Sequence, residues 1–141
     1  MKYIEEIDLS SVIQERFLDD STANIAGDNS ILDNIESKAI EYVISYISGK
    51  YNTTLIFNET EPVRNGVLRQ IIAQIIVYRA VKRNAARKVP EDYVTLMSDS
   101  TKQLERIQSG AMSLPGLPLI AAQEGTKDLK YGNNRNSNYF I

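Results

Sequence analysis

The sequence contains no cysteine and no histidine, and these two absences exclude several classes of chemistry. Without cysteine the chain forms no disulfide and offers no thiolate as a nucleophile or as a zinc ligand. Without histidine it lacks the commonest general base and the commonest metal ligand of proteins. Serine-histidine, cysteine-histidine and histidine-metal mechanisms are therefore impossible, and any catalysis would rest on carboxylates, lysines or tyrosines.

Long hydrophobic runs and a strong net charge are also missing. Every apolar stretch is interrupted by charge well short of the ~20 residues that a membrane span needs. The N-terminus is acidic and does not have the pattern of a secretory signal. We therefore expect a cytosolic product with no membrane partner. The formal charge of -2, the hydrophobic content of 43% and the length of 141 residues predict one domain with one compact core.

Charge is distributed unevenly along the chain although its total is close to zero. Residues 5–36 contain nine acids and one base, whereas residues 64–88 contain seven bases and no acid. Two interpretations stay open. The opposite charges pair within one chain or form solvated faces, or the acidic part of one copy contacts the basic part of the next copy in a homo-oligomer. For the second interpretation, the predicted subunit interface consists of Asp19, Asp20, Asp28, Arg79, Lys82, Arg83, Arg87 and Lys88.

Residues 60–84 are predicted to form the helix around which the rest of the chain packs. Apolar residues at three-and-four spacing fill one side, and Ile76 and Val77 continue the apolar surface onto the other side. Thr60 is the predicted N-cap, and Pro62 is the predicted first-turn proline. A helix that is apolar nearly all round needs neighbours on several sides, which are either other helices of the same chain or other copies.

The apolar surplus of this helix, at residues 71–77, is interpreted as material for contacts beyond one folded copy. Gly66, Ala73 and Ala80 recur on the same helix at heptad spacing, where small side chains let another backbone approach closely. We favour a helix of the same chain as that neighbour.

Two more long helices are predicted, one on each side of this helix in the sequence. Residues 30–48 have a helical apolar period and stop at Gly49. The third long helix begins at Pro90, has acidic residues at its positive end, and stops at Gly110.

The segments outside the long helices have weaker signals. Residues 8–18 predict a short amphipathic helix whose start is capped by Asp8 or Ser10. The β-branched and aromatic residues of segment 51–59 predict a short extended link, with residues 55–57 lying on the helices.

No metal or nucleotide motif is complete. In the predicted loop at residues 19–29, Ile25 stands where a calcium loop needs its turn glycine, and Ile31 stands where it needs its bidentate glutamate. Gly49-Lys50 resembles part of a phosphate-binding loop but lacks the glycine five residues earlier. We expect no metal and no cofactor.

The best carboxylate pair for catalysis is formed by Glu36 and Glu41. Their spacing does not place both on one helix face, and no pocket-forming motif accompanies them. We interpret both as members of a solvated face and expect no enzyme activity.

After Gly110 the chain is rich in proline, glycine and asparagine and has no helical period, yet it contains two apolar islands. We divide the chain into a helical core, residues 1–110, and an extended C-terminal docking arm, residues 111–141, which becomes ordered on another surface; the alternative is a frayed terminus. The predicted docking residues are Leu114, Leu117, Leu119, Ile120, Tyr139, Phe140 and Ile141. The predicted fold is all-α: an antiparallel bundle of three long helices with a short N-terminal helix, a short extended segment after the first long helix, and an extended C-terminal arm.

Three segments of the predicted core are patterned like a known family. They are AIEYVISYISGKYNTTLIF at residues 39–57, VLRQIIAQIIVYRAV at residues 67–81 and YVTLMSDSTKQLERIQSGAMSL at residues 93–114. Tyr46, Gly49 and Tyr51 look like that family's aromatic-glycine-tyrosine ending of the first long helix, and Tyr78-Arg79 looks like its tyrosine-arginine pair near the end of the second. The chain thus resembles the small head-tail connector or adaptor proteins of tailed-phage virions, including their Mu-like group.

The resemblance implies a structural role at the head-tail interface of a virion, after synthesis in the host cytoplasm. Such proteins form a ring, usually of about twelve copies, beneath the portal of a DNA-filled capsid. The ring lengthens the DNA channel and presents a surface to a tail or stopper protein. Duplex DNA would pass without sequence-specific binding, and the basic residues are expected to contact acidic neighbours, because a channel through which DNA slides should not grip its phosphates. The alternative is a small helical nucleic-acid-binding or regulatory protein that uses the basic cluster.

Overall fold

The computed structural model describes residues 3–13, 30–84 and 89–120, and these residues form a helical bundle. The helices described are α1 (Glu6–Ser10), α2 (Ser30–Ile47), α3 (Thr53–Ile56), α4 (Gly66–Asn84) and α5 (Glu91–Ser109). In this part of the chain the only β-structure is an isolated bridge. The predicted all-α fold, with three long helices and a short N-terminal helix, is confirmed.

Helix α4 lies at the centre of the bundle, and eight of its 19 residues are buried. Its buried residues, each at most 1% exposed, are Leu68, Ile71, Ile72, Ala73, Ile75, Ile76, Val77 and Ala80. Helices α1, α2 and α5 contact it, and the first turns of α2 lie beside its last turns, so α2 and α4 are antiparallel. Helices of the same chain therefore cover α4. The interpretation of residues 71–77 as surplus for contacts beyond one copy is wrong.

The small residues of α4 behave differently from one another. Ala73 and Ala80 are buried by the same chain, as we favoured, whereas Gly66 is exposed, and a β-carbon there would meet nothing within 4 Å. Between α4 and α5 a buried polar contact joins the helices, because Ser100 Oγ donates a hydrogen bond to Gln74 Oε1 at 2.7 Å. Shape and one polar pair, rather than a stripe of three small residues, fix this packing.

The start of α4 differs from the prediction. The helix begins at Gly66, so Thr60 is not its N-cap and Pro62 precedes its first turn. Asn65 is the cap: its Oδ1 accepts hydrogen bonds from two backbone N–H groups of the first turn, at 3.0 and 3.1 Å. The backbone N–H of Asn65 donates to the Tyr3 hydroxyl at 3.2 Å. Tyr3 lies 62 residues before Asn65 in the sequence, so a long-range contact helps to fix the start of α4. Local sequence signals do not show this contact.

A buried carboxylate holds the N-terminal segment on α2. Glu36 is 2% exposed, and its Oε1 accepts hydrogen bonds from the backbone N–H groups of Tyr3 at 2.9 Å and Ile4 at 2.8 Å. Tyr3 is 1% exposed, its hydroxyl donates to the Val63 carbonyl at 3.0 Å, and burial raises the pKa of its phenol. The interpretation of Glu36 as part of a solvated face is wrong, because it lies four residues after Leu32, within the apolar stripe of α2.

Helix α1 starts earlier and is shorter than predicted. It spans Glu6–Ser10, and Glu5 is its N-cap, so neither Asp8 nor Ser10 caps the start. Asp8 instead completes a capping box from within the helix, its Oδ2 accepting a hydrogen bond from the Glu5 backbone N–H at 2.9 Å. The rest of the predicted helix and the predicted loop, residues 14–29, lie outside the described residues.

The link after α2 is helical rather than extended. Residues 53–56 form the single turn α3, and Asn52 caps it by accepting a hydrogen bond from the Leu55 backbone N–H at 3.2 Å. The capping amide outweighs the β-branched composition that predicted an extended segment. Ile56 packs on the core as expected, but Leu55 is 50% exposed.

The other helix boundaries follow the sequence signals closely. Helix α2 begins at Ser30 and ends at Ile47, although Gly49 does not adopt a left-handed conformation. Helix α5 follows Pro90 and ends before Gly110, whose φ of 89° lies in the left-handed region that glycine adopts at helix ends.

We predict that Glu36→Ala destabilises the fold while Glu41→Ala, an exposed position on the same helix, does not. Removing the Glu36 carboxylate leaves two buried backbone N–H groups without their acceptor, at a cost of about 1–3 kcal/mol for each group. The Glu41 variant should stay within about 0.5 kcal/mol of wild type. Denaturant unfolding of the three proteins measures both values, and equal stability of the two variants would contradict the anchoring role of Glu36.

Candidate functional site

A cleft with a basic rim lies between α2 and the last turns of α4. It encloses about 610 Å³, and the described residues that line it are Ile31, Asn34, Ile35, Lys38, Arg79 and Arg83. We call this site the basic cleft. Three of these described lining residues are cations and none is an acid, so this part of the lining carries positive charge. The two isoleucines give it an apolar floor, which favours an occupant with an apolar side chain as well as negative charge.

The aromatic ring of Tyr42 contacts one cation of the basic cleft. The Arg79 guanidinium lies 5.6 Å from the centroid of the Tyr42 ring, within the range of a cation–π contact. The Tyr42 hydroxyl lies 3.3 Å from the Tyr46 hydroxyl and 3.4 Å from Thr101 Oγ1. The hydrogen bond with Tyr42 raises the pKa of Tyr46 to about 12. Tyr42 thus joins α2 to α5 and supports Arg79 at the rim.

The structure brings together part of the predicted subunit interface. Arg79 and Arg83 line the basic cleft, and the Lys82 ammonium lies 5.9 Å from the centroid of the Tyr78 ring. Lys38 was missed because it comes from α2 rather than from the basic stretch at residues 64–88. The predicted interface residues outside the described part of the chain are Asp19, Asp20, Asp28, Arg87 and Lys88.

Some of the acidic residues of the first part of the chain form ion pairs with the basic stretch of the same chain. Arg69 Nη2 lies 2.9 Å from Asp8 Oδ2 and 3.2 Å from Glu5 Oε1, and the hydrogen bond with Asp8 raises the pKa of Arg69. Arg64 Nε donates to the Tyr3 carbonyl at 3.1 Å. The first interpretation, pairing within one chain, is therefore confirmed for Arg69, at the beginning of the basic stretch.

Three exposed apolar side chains collect near the C-terminal end of the described chain. Leu55 is 50% exposed, Leu119 60% and Ile120 47%. We call these three residues the apolar edge. Among the described residues only two other large apolar side chains, Ile7 and Val94, are exposed to a similar degree. Three of the five exposed large apolar residues of the described chain thus belong to two adjacent segments, the link after α2 and residues 118–120.

Leu55 of the apolar edge lines a groove of about 860 Å³ between α3 and residues 116–118. Leu55, Val63, Leu117 and Pro118 give the groove an apolar lining, and polar side chains of residues 58–61 line its other side. This combination of apolar surface with a polar border fits a protein segment.

Hydrogen bonds hold residues 111–120, the first part of the predicted arm, on the link after α2. Leu114 and Leu117 are 3% and 7% exposed, so they belong to the core of their own chain rather than to a docking surface. The buried Tyr51 hydroxyl accepts a hydrogen bond from the Leu114 backbone N–H at 2.8 Å. Leu119 and Ile120 are exposed, and for these two residues docking on another protein stays a prediction. Tyr139, Phe140 and Ile141 lie outside the described residues.

An isolated antiparallel bridge between Tyr51 and Leu119 positions the apolar edge. The flanking residues make its hydrogen bonds: Asn52 N donates to the Pro118 carbonyl at 2.9 Å, and Ile120 N donates to the Lys50 carbonyl at 3.1 Å. In this arrangement the N–H and C=O groups of Leu119 face away from Tyr51. A short outer backbone edge therefore accompanies the exposed side chains.

Within residues 3–13, 30–84 and 89–120, no three acidic, histidine or cysteine side chains are grouped in a way that could hold a metal ion. None of the helices described is both long enough and apolar enough to cross a membrane.

The comparison with protein families identifies one match, which spans nearly the whole chain. The model of the family described as Bacteriophage Mu, Gp36 matches residues 3–128. No curated protein and no solved structure matches the chain. The match includes all five described helices and the bridge that carries the apolar edge.

We predict that Tyr51→Phe loosens the attachment of residues 111–120. The substitution removes the acceptor of the buried Leu114 N–H, which costs about 1–3 kcal/mol. The control is Tyr93→Phe, since no hydrogen bond of the Tyr93 hydroxyl is found within the described residues, and it should change stability by less than about 0.5 kcal/mol. Denaturant unfolding gives the stabilities, and faster hydrogen exchange at the Leu114 amide locates the effect. Unchanged exchange at Leu114 would show that the Tyr51 hydroxyl does not hold this segment.

Proposed function

The chain belongs to the Bacteriophage Mu, Gp36 family, and from this premise we propose that it is a structural virion protein, a head-tail connector that forms a ring below the portal. The ring extends the DNA channel and joins the capsid to the tail, with the portal on one side and a tail or stopper protein on the other. Duplex DNA passes through without sequence-specific binding. The protein acts at the head-tail interface as a structural component and catalyses no reaction.

The observation that carries this proposal is the apolar edge. Leu55, Leu119 and Ile120 are about half exposed, and Leu55 lines an apolar groove, although the same chain buries most apolar residues of its central helix. A fold that covers its own core this well has no internal need for these side chains. Their concentration in one place, next to an outer backbone edge, suits a partner that adds an extended segment to residues 118–120.

The basic cleft is a second feature that supports the proposal. It is polar at its rim and lined by cations, so it differs in chemistry from the apolar edge. A subunit of a connector needs at least two kinds of contact, one with its neighbours in the ring and one with the proteins above or below. Two surfaces of different chemistry on one chain meet that need.

The same cations are the basis of the nucleic-acid alternative, and their arrangement favours the connector. Lys38, Arg79 and Arg83 converge on one cleft instead of forming an open stripe along a helix. Arg79 is also engaged with the ring of Tyr42. A converging set fits a discrete acidic group, whereas a DNA backbone presents phosphates in a continuous row.

We predict that the purified chain forms a closed oligomer, alone or on the portal protein of the same phage. About twelve copies of the 15.9 kDa chain give a particle of about 190 kDa. Native mass spectrometry and light scattering after size exclusion measure the mass of the chain by itself and of its mixture with the portal. A chain that stays at 15.9 kDa in both samples and does not bind the portal would overturn the proposed function.

We predict that the apolar edge contacts the portal. Leu119→Asp and Ile120→Asp place a charge where an apolar contact forms, and each should weaken portal binding at least about tenfold. The control is Val94→Asp on α5, another exposed apolar position, which should bind like wild type. Because all three side chains are largely exposed, the variants should keep the stability of wild type. Surface plasmon resonance on immobilised portal measures the affinities; equal loss in the control variant would contradict a specific role of the edge.

A further inference from the structure

The start of helix α1 carries an exposed apolar residue between charged neighbours. Ile7 is 70% exposed, more than any other large apolar residue in the described part of the chain. Glu5 and Glu6 precede it, and both are exposed. The Glu5 side chain remains 59% exposed even though it contacts Arg69, and Glu6 has no ion pair within the described residues. We call Glu5, Glu6 and Ile7 the acidic corner.

The acidic corner and the basic cleft are complementary in charge and in polarity. The corner has the Glu6 carboxylate, the partly exposed Glu5 carboxylate and one aliphatic side chain, and the cleft has Lys38 and Arg79 beside two isoleucines. The cleft volume of about 610 Å³ is ample for an isoleucine side chain and the two carboxylates beside it. An apolar contact surrounded by opposite charges combines burial with a fixed orientation, as specific interfaces do.

The two sites lie too far apart to meet within one chain. Helix α1 is held against the first half of α4 by the ion pair of Asp8 with Arg69, at 2.9 Å. The basic cleft lies at the other end of α4, at Arg79 and Arg83. These positions are ten and fourteen residues after Arg69, which corresponds to about 15–21 Å along the helix axis. The corner and the cleft of one chain therefore do not meet each other, and a contact between them joins two copies.

We infer that the acidic corner of one copy binds in the basic cleft of the next copy. The contact joins two different surfaces of identical chains, so it is head-to-tail, and repetition gives a closed ring or an open filament. The inference rests on the proposed function only where it says that the repeated contact closes into a ring. It specifies which two surfaces are in contact between neighbouring copies. The apolar edge is not used in this contact and is available to the proteins above or below the ring.

The experiment uses two full-length variants, each of which removes one half of the contact. Ile7→Asp disables the corner and leaves the cleft intact; Lys38→Glu disables the cleft and leaves the corner intact. Both side chains are exposed, so both variants should unfold like wild type. The matched controls are Val94→Asp and Lys102→Glu, which make the same changes at exposed positions of α5. Analytical ultracentrifugation measures assembly under the condition in which wild type assembles, with or without portal.

Each variant alone should self-associate at least about tenfold more weakly than wild type, and both controls should assemble normally. An equimolar mixture of Ile7→Asp and Lys38→Glu should form one-to-one complexes and nothing larger, because the mixture retains one intact corner and one intact cleft per pair. Normal assembly of either variant alone, or failure of the weakened variants to pair, would overturn the inference while leaving the connector proposal standing. A loss of stability in Lys38→Glu with unchanged assembly would indicate an occupant from the same chain and would also overturn it. A wild-type chain that never assembles, even on portal, would instead refute the proposed function.

Discussion

The need to cover the apolar residues of helix α4 determines the arrangement of the other elements. Its buried residues extend over more than half of its circumference, so two neighbouring helices are not enough. Helices α2 and α5 supply two sides, and the N-terminal segment with α1 supplies another. That segment packs Tyr3, Ile4 and Leu9 into the core. The carboxylate of Glu36 accepts two of its backbone N–H groups, so a buried charge on α2 completes the apolar enclosure of α4.

The sequence predicted the elements whose signals are local. Helix α5 has its proline and acidic residues at one end and its left-handed glycine at the other, and its bounds agree with the prediction to within a residue. The start of α4 was predicted wrongly because Asn65, not Thr60, makes the cap, and its backbone is held by Tyr3 from the other end of the chain. The link was predicted wrongly because one amide, that of Asn52, outweighs the β-branched composition. In both cases one asparagine side chain, which accepts a hydrogen bond from a backbone N–H two or three residues later, determines where the helix begins.

Only part of each candidate site could be predicted from the sequence, because residues of different elements come together only in the folded chain. Arg79 and Arg83 stood out as members of a basic stretch, but Lys38 lies on another helix and joins them only in the folded chain. Leu114 and Leu117 looked equivalent to Leu119, and the fold separates them into core and surface. One available signal was overlooked: Glu36 lies within the apolar stripe of its helix, and a charged residue in such a place is usually paired.

The distribution of charge along α4 gives the chain two ends of different character. Near its start, Arg69 is paired with Asp8 and Glu5, and this pairing fixes α1 and points Ile7 outward. Near its end, the cations converge on a cleft with an apolar floor. The ion pairs of Arg69 with Asp8 and Glu5 neutralise the first part of the basic stretch within the chain. They also hold the acidic corner at a fixed distance from the basic cleft. Because α4 is a continuous helix whose apolar residues are packed in the core, that distance is the same in every copy. A constant offset between two complementary surfaces is what a repeating head-to-tail assembly requires.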